Sequence, residues 1–277
     1  MRAPEIACRS LFGAVFRVES AMPGLAEAVA KRLPPSEAPE GKVARPGRTY
    51  RVESRDAERR WDVFRGPRKP VEATGLDQAA EHVVSDLERY VARRSADFVF
   101  VHSGAVAWKG RAILLPGRSF AGKSALVAAL LAEGADYLSD EFAVVDARGR
   151  VHPYARPLGL RRADGLVERV PPEAIGARVS GPVPAGLVAS LRFRRGARFE
   201  TVAATPGEAL LLLLVQTLEV RRRLTAASAL LRAVVTSAPA IRGVRGEATE
   251  AARRLLDLSG LQETVSVSPA PQAAGSR

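Results

Sequence analysis

The sequence predicts an α/β fold, and three observations carry that expectation. Apolar runs of strand length, such as Phe98-Val99-Phe100-Val101 and Ala112-Ile113-Leu114-Leu115, alternate with stretches whose apolar residues recur at helical spacing. Glycine and proline punctuate the joints. One strand-like run leads through Gly117-Arg118-Ser119-Phe120-Ala121-Gly122-Lys123-Ser124 into a helix-forming run at 125–131.

Taken in order, residues 11–18 read as a strand and 25–33 as a short helix, followed by a proline-rich loop at 34–41. Tyr50-Arg51-Val52 and Trp61-Asp62-Val63-Phe64 read as short strands that suit a hairpin. Residues 76–92 form a helix by the spacing of Ala79, Ala80, Val83, Val84, Leu87, Tyr90 and Val91. The run from Phe98 ends in His102. Val106-Ala107-Trp108 and residues 112–115 flank Lys109-Gly110, a tight hairpin turn.

Gly134 closes the helix after Ser124, and residues 137–145 read as one extended segment with Asp140-Glu141 in its middle. A turn at Asp146-Ala147-Arg148-Gly149 leads to a strand containing Val151. Residues 156–200, rich in Arg, Gly and Pro, are expected to be irregular with short strands. Thr205-Pro206-Gly207-Glu208 is a helix start, with Thr205 as N-cap and Glu208 closing a capping box, before an apolar run to Leu218. A second amphipathic stretch spans 247–258 and stops at Gly260. The predicted organisation is a small N-terminal α+β region (1–95), a core with a helical C-terminus (96–261) and a disordered tail (262–277).

The segment Gly117 to Ser124 fits the pattern G-x-x-x-x-G-K-[ST], in which glycines let successive N–H groups face one concavity at a helix N-terminus. In such a loop Lys123 reaches the β- and γ-phosphates, and the Ser124 hydroxyl holds Mg²⁺. Only five of the 42 Lys and Arg residues are lysines, and one stands at the required position, which argues against coincidence. A nucleoside triphosphate ligand, with Mg²⁺, is the expectation.

Composition bounds the rest. The net charge of +12 is spread over scattered arginine pairs and triplets rather than a stripe, which disfavours a dedicated nucleic-acid surface. A basic face for an acidic or phosphorylated partner fits better. One cysteine, Cys8, excludes an intrachain disulfide and suits a reducing compartment. No secretory-signal pattern is present, and the apolar run at 209–215 is too short to span a bilayer, so a soluble, cytoplasmic protein is expected.

A metal held by Ser124 needs further oxygen donors, and the acidic pair Asp140-Glu141, one helix and one strand beyond, supplies candidates. His102 ends a strand expected in the same sheet, where a structural and a functional role are both open.

With these residues assembled, Val101-His102-Ser103-Gly104, Leu115-Pro116-Gly117 through Ser124, and Leu138-Ser139-Asp140-Glu141 together resemble the catalytic domain of HPr serine kinase/phosphorylase. The likeness is strongest to its short related proteins and more remote to phosphoenolpyruvate carboxykinase. It covers residues 97 to about 160 well and the C-terminus loosely. The resemblance implies a P-loop kinase core of the HPr kinase/phosphoenolpyruvate carboxykinase type that binds ATP. One carboxylate would act as base and the other on the metal, with His102 beside them.

The chain departs from the family in three ways. It carries Asp140-Glu141 in place of Asp-Asp. Arg156-Pro157-Leu158-Gly159-Leu160-Arg161 stands where the Glu-(Ile/Val)-Arg-Gly signature of the phosphorylase activity would lie. The N-terminal region shows no likeness to the bifunctional enzyme's regulatory domain. HPr itself and the reverse reaction are therefore not expected.

The resulting expectation is phosphoryl transfer from ATP to a hydroxyl, a serine of a peptide or small protein, or else of a small metabolite. Asp140 would serve as base, Ser124 and Glu141 with Mg²⁺, Lys123 and the loop amides on the transferring group, and His102 as orienter. Arg156 and Arg161 are candidate anion contacts. The rival from another class is a regulatory module that binds nucleotide and transfers nothing. Bifunctional family members form hexamers, so the resemblance admits a homo-oligomer.

Overall fold

The computed structural model describes residues 5–37, 46–56, 60–67, 69–117, 122–161 and 167–260. The expected disordered tail, Arg118 to Ala121 and the Arg161 side chain lie outside the described residues. The architecture is mixed α/β, with six helices and two principal sheets among the described residues.

The first sheet has the order β1 (Glu5–Leu11), β2 (Ala14–Ser20), β3 (Arg48–Asp56), β4 (Arg60–Arg65) and β5 (Val71–Ala73). The single strand expected at 11–18 is instead a hairpin. Phe12 and Gly13 take φ of 47° and 76°, the left-handed pair that a two-residue turn between twisted strands requires. The sequence hid this because apolar Leu11 and Phe12 lead through a single glycine straight into Ala14-Val15-Phe16. β3 and β4 pair antiparallel, as their spacing suggested.

Helix α1 (Leu25–Ala30) and helix α2 (Leu76–Arg94) cover this sheet. All seven apolar residues expected to face inward on α2 are buried. Phe16, Tyr50, Val63 and Leu87 share one core with Phe100, Phe142 and Tyr154 from the second half of the chain. That shared core brings α2 close to the acidic pair.

The second sheet contains β6 (Phe98–Trp108), β7 (Arg111–Pro116), β8 (Asp136–Ser139), β9 (Phe142–Asp146) and β10 (Arg150–His152). It continues through β13 (Val183–Phe193), β14 (Glu200–Ala204) and β15 (Ala240–Arg245). The order is β10-β9-β6-β7-β13-β15-β14, and β8 also pairs with β6. The β6–β7 turn is the expected one, with φ of 48° at Lys109 and 74° at Gly110. β7 leads to the 117–124 segment and α3 (Lys123–Ala132).

The region 156–200 is more ordered than expected. It holds a small hairpin of β11 (Leu158–Arg161) and β12 (Val167–Val170), and then the 11-residue β13, which lies parallel between β7 and β15. Pro184 and Gly186 diluted the strand signal of β13. A central strand buried on both faces also lacks the alternation that marks a half-exposed one.

α4 (Pro206–Val215) starts with the expected capping box at Thr205 and Glu208. It ends before Leu218 because residues 216–218 turn to pair with β6. Gln216 accepts the His102 N–H at 2.8 Å, and the Leu218 N–H donates to the Phe100 carbonyl at 2.8 Å. α5 (Val220–Ser237) and β15 follow, and α6 (Ala248–Gly260) matches the second amphipathic stretch. The sequence reading identified neither α5 nor β15.

Helices cover both faces of this sheet. α4 and α5 pack on the face of Leu114, Val188 and Ala240, and α3 and α6 on the face of Ile113, Leu187 and Ile241. α3 approaches β6 closely at Gly104, where a Cβ would stand 2.7 Å from Val127 Cγ2.

Candidate active site

The extended segment expected at 137–145 is interrupted at Asp140 and Glu141, which form a bend between β8 and β9. Both strands pair with β6, and the Ser103 N–H still donates to the Glu141 carbonyl at 3.0 Å. The bend is held from inside. The Ser139 hydroxyl accepts the N–H groups of Glu141 and Phe142 at 3.0 and 2.9 Å. The buried Tyr137 hydroxyl accepts the Asp140 N–H at 3.1 Å and donates to the Arg156 carbonyl at 2.9 Å. Two carboxylates at the break of a strand point to different surroundings, and here they do.

Asp140 faces α3. Its Oδ2 accepts the Ser124 hydroxyl at 3.2 Å and the Gly159 N–H at 2.9 Å. Only 4% of Asp140 is exposed. Glu141 turns the other way, with Oε1 3.4 Å from His102 Nε2 and Oε2 accepting Arg156 Nη2 at 2.8 Å. Arg156 also donates to Glu88 Oε1 at 3.1 Å, and its Nε lies 3.9 Å from Asp140 Oδ1. Arg156 therefore serves three carboxylates and is not left open to an anion, as its reading as an anion contact had expected.

Lys123 and Ser124 open α3, and the Lys123 ammonium donates to the Gly117 carbonyl at 2.9 Å. Gly122 precedes them with φ 75°, and a Cβ there would meet Arg245 Nη2 at 2.6 Å. Arg245 is buried, stacks its guanidinium 5.3 Å from the Phe193 ring, and donates to the Gly122 carbonyl at 2.7 Å. That bond ties the segment to the end of β15.

The charges act on one another. Burial pushes the Lys123 ammonium down from its ordinary value, while Glu141 and Asp140 pull it back up. Burial raises the Glu141 carboxyl, but the His102 hydrogen bond and the Arg156 and Lys123 charges outweigh it, leaving Glu141 below the usual range. For Glu88 burial wins over Arg156, reinforced by Glu141 and Glu81, and the carboxyl is pushed up to about 7.

The structure thus brings together His102, Gly117, Gly122, Lys123, Ser124, Asp140 and Glu141, all singled out by sequence. Arg118, Ser119, Phe120 and Ala121, expected to line a phosphate site, lie outside the described residues. Glu88, Tyr137, Gly159 and Arg245 were not foreseen. Ser139 and Tyr137 stand beside the acidic pair, but the apolar pattern that marked the strand gave their hydroxyls no role. Glu88 carried no signal, being one charged residue on a helix 52 residues before Asp140.

Among the described residues no group of three or more His, Cys, Asp or Glu gathers to hold a metal. A hydroxyl and a carboxylate oxygen 3.2 Å apart at the start of a helix do fit a hard cation that takes its remaining ligands from water and phosphate. Also among the described residues, no helix is long and apolar enough to cross a membrane.

No family model matches the chain, and no curated protein does. Among solved structures it is similar to the Hpr(Ser) kinase/phosphatase from Coxiella burnetii, with a TM-score of 0.31 and 13% identity over 60% of this chain and 96% of that one. At that TM-score the likeness carries no argument about chemistry.

Proposed function

We propose that the chain is a phosphotransferase that binds a nucleoside triphosphate with Mg²⁺ on the 117–124 segment and transfers the terminal phosphoryl group to a hydroxyl. The observation that carries this reading is the Ser124–Asp140 contact, which sets a carboxylate beside the hydroxyl that follows the lysine of the motif. Bound Mg²⁺ would supply charge neutralisation on the phosphates, with Ser124 and Asp140 as its protein ligands.

The geometry favours a division of labour that reverses the one expected from sequence. Asp140 lies against Ser124, whereas Glu141 lies against His102 and is more exposed. Glu141 is therefore assigned the acceptor proton. The acceptor oxygen bonds to the terminal phosphorus as the bond from that phosphorus to the leaving diphosphate oxygen breaks, and the hydroxyl proton passes to Glu141. His102 orients that carboxylate. Lys123 stabilises charge on the transferring group. A serine of a peptide or small protein remains the preferred acceptor, with a small hydroxyl metabolite as the alternative.

Paired substitutions test the assignment. In Glu141→Gln, transfer of γ-label from ATP to an acceptor fraction should fall by about 10²–10⁴-fold, with Mg²⁺-dependent ATP binding retained. In Asp140→Asn, the Mg²⁺ concentration needed for ATP binding should rise. Unchanged transfer in both variants would remove the phosphotransferase reading. Nucleotide binding by the wild type without transfer to any fraction would favour the regulatory module.

A further inference from the structure

The β7 end of the sheet separates two flanks. On the β6 side lie Asp140, Glu141 and His102, joined to their neighbours by side-chain contacts. Tyr137 is fully buried, and Gly159 of β11 closes on Asp140 from above. On the β13 side the sheet face is open. Side chains alternate along strands, so Ser190 shares the face of Val188, and Arg242 and Val244 share that of Ala240, the face on which α4 packs. α4 ends at Val215 and leaves the far end of this face uncovered. The result is a cleft of about 720 Å³.

The cleft starts at Pro116 and Gly117, the first residues of the glycine-rich segment. Its floor is Ser190, Val202 and Val244, and its wall is Leu212 and Gln216 of the α4 region. Arg192 and Arg242 are exposed and line it as well, Arg242 between Ser190 and Val202 in the sheet and 3.6 Å from Glu208. The volume falls in the range of small-ligand sites, about 300–1,000 Å³. Apolar surface, a few amide and hydroxyl groups and two guanidiniums able to stack on a ring suit a flat heterocycle and a sugar.

We propose that this cleft holds the nucleoside half of the nucleotide. The inference rests on the phosphotransferase reading and deepens it. If the terminal phosphate must reach Asp140 and Ser124 on the β6 side, the triphosphate passes Lys123 and Gly117, which are bonded to each other. Its other end then leaves on the β13 side, where the cleft begins. Ligands of open α/β sheets lie at the carboxyl ends of the strands, and β7, β13 and β15 all end here. The base and ribose would pack against Leu212, Val202 and Val244, with Gln216 and Ser190 available for hydrogen bonds.

Isothermal titration calorimetry with two probes tests this, ATP and inorganic tripolyphosphate, each with Mg²⁺. The variants are Ser190→Phe, which fills the floor, and Leu212→Arg, which places a charge on the wall. Both positions are partly exposed, and circular dichroism checks that each variant folds. The expected result is at least a tenfold loss of ATP affinity in each, with tripolyphosphate affinity held within twofold. ATP affinity unchanged in folded variants overturns the assignment. Equal loss of both probes also overturns it, because the effect would then lie at the phosphates. Absence of binding by either probe to the wild type would instead remove the nucleotide reading, and the cleft assignment with it.

Discussion

The two flanks of β7 differ in how they are built, and on the proposed reading that difference divides chemistry from recognition. The β6 flank is a chain of buried and half-buried contacts: Tyr154 to Glu88, Glu88 to Arg156, Arg156 to Glu141, and Glu141 to His102. Each group there is fixed by its neighbours. The β13 flank is an open surface whose side chains are half-buried or exposed and sparsely bonded. A buried network holds atoms to a fixed geometry but suffers when one member is lost, because its partners stay desolvated. An open surface tolerates substitution and expresses it in binding. The two flanks should therefore respond oppositely to mutation.

The largest expected effect comes from Arg156→Ala. It removes the one guanidinium that donates to both Glu88 and Glu141, and leaving buried charge unpaired costs about 3–5 kcal/mol. Arg192→Ala on the open flank should change stability by no more than about 0.5 kcal/mol. Urea denaturation of both variants measures the contrast, and similar losses would dissolve it.

How much of this was legible in the sequence follows the same division. The 117–124 segment, the acidic pair and His102 could be read because their residue types and spacing are local, and the α2 face could be read from its period. The closed flank could not. Glu88 reaches Arg156 only because α2 packs in one core with Phe100, Phe142 and Tyr154, a contact between regions far apart in the chain. The bend at Asp140 depends on the Ser139 and Tyr137 hydroxyls, which a pattern of apolar residues does not register. β13 was missed because its proline and glycine argue locally for a loop, while pairing on both edges overrides them.

A smaller effect tests whether the closed flank carries a strained carboxylate. Burial pushes the Glu88 carboxyl up to about 7 in the folded protein, above its unfolded value. The sign follows from linkage. A raised carboxyl favours the folded state fully below the unfolded pKa, and that contribution is lost as pH rises through the folded pKa. Wild-type stability should therefore fall between about pH 4.5 and 7 through this group, by at most about 1.4 kcal/mol per pH unit. Glu88→Gln should flatten that slope, whatever its absolute stability. Denaturation midpoints at pH 5, 6, 7 and 8 give the slope, and parallel wild-type and variant curves would show that Glu88 is ionised throughout.

The smallest effect sharpens the comparison from the open side. α4 forms the wall of the cleft, and its start is fixed by one local device. The Thr205 hydroxyl accepts the Glu208 N–H at 3.3 Å, and the Glu208 carboxylate accepts the Thr205 N–H at 2.8 Å. Thr205 is exposed and Glu208 half-buried, so little else is desolvated when the cap is removed. Thr205→Ala should cost about 1 kcal/mol, against the several expected at Arg156. The loss should be local, because Ala209 and Leu213 still anchor the helix in the core. ATP affinity in Thr205→Ala should stay within about twofold of wild type, since a frayed first turn leaves Leu212 and Gln216 at the other end in place. A tenfold loss would mean that the α4 wall moves as a unit with its cap, and that the open flank is held as tightly as the closed one.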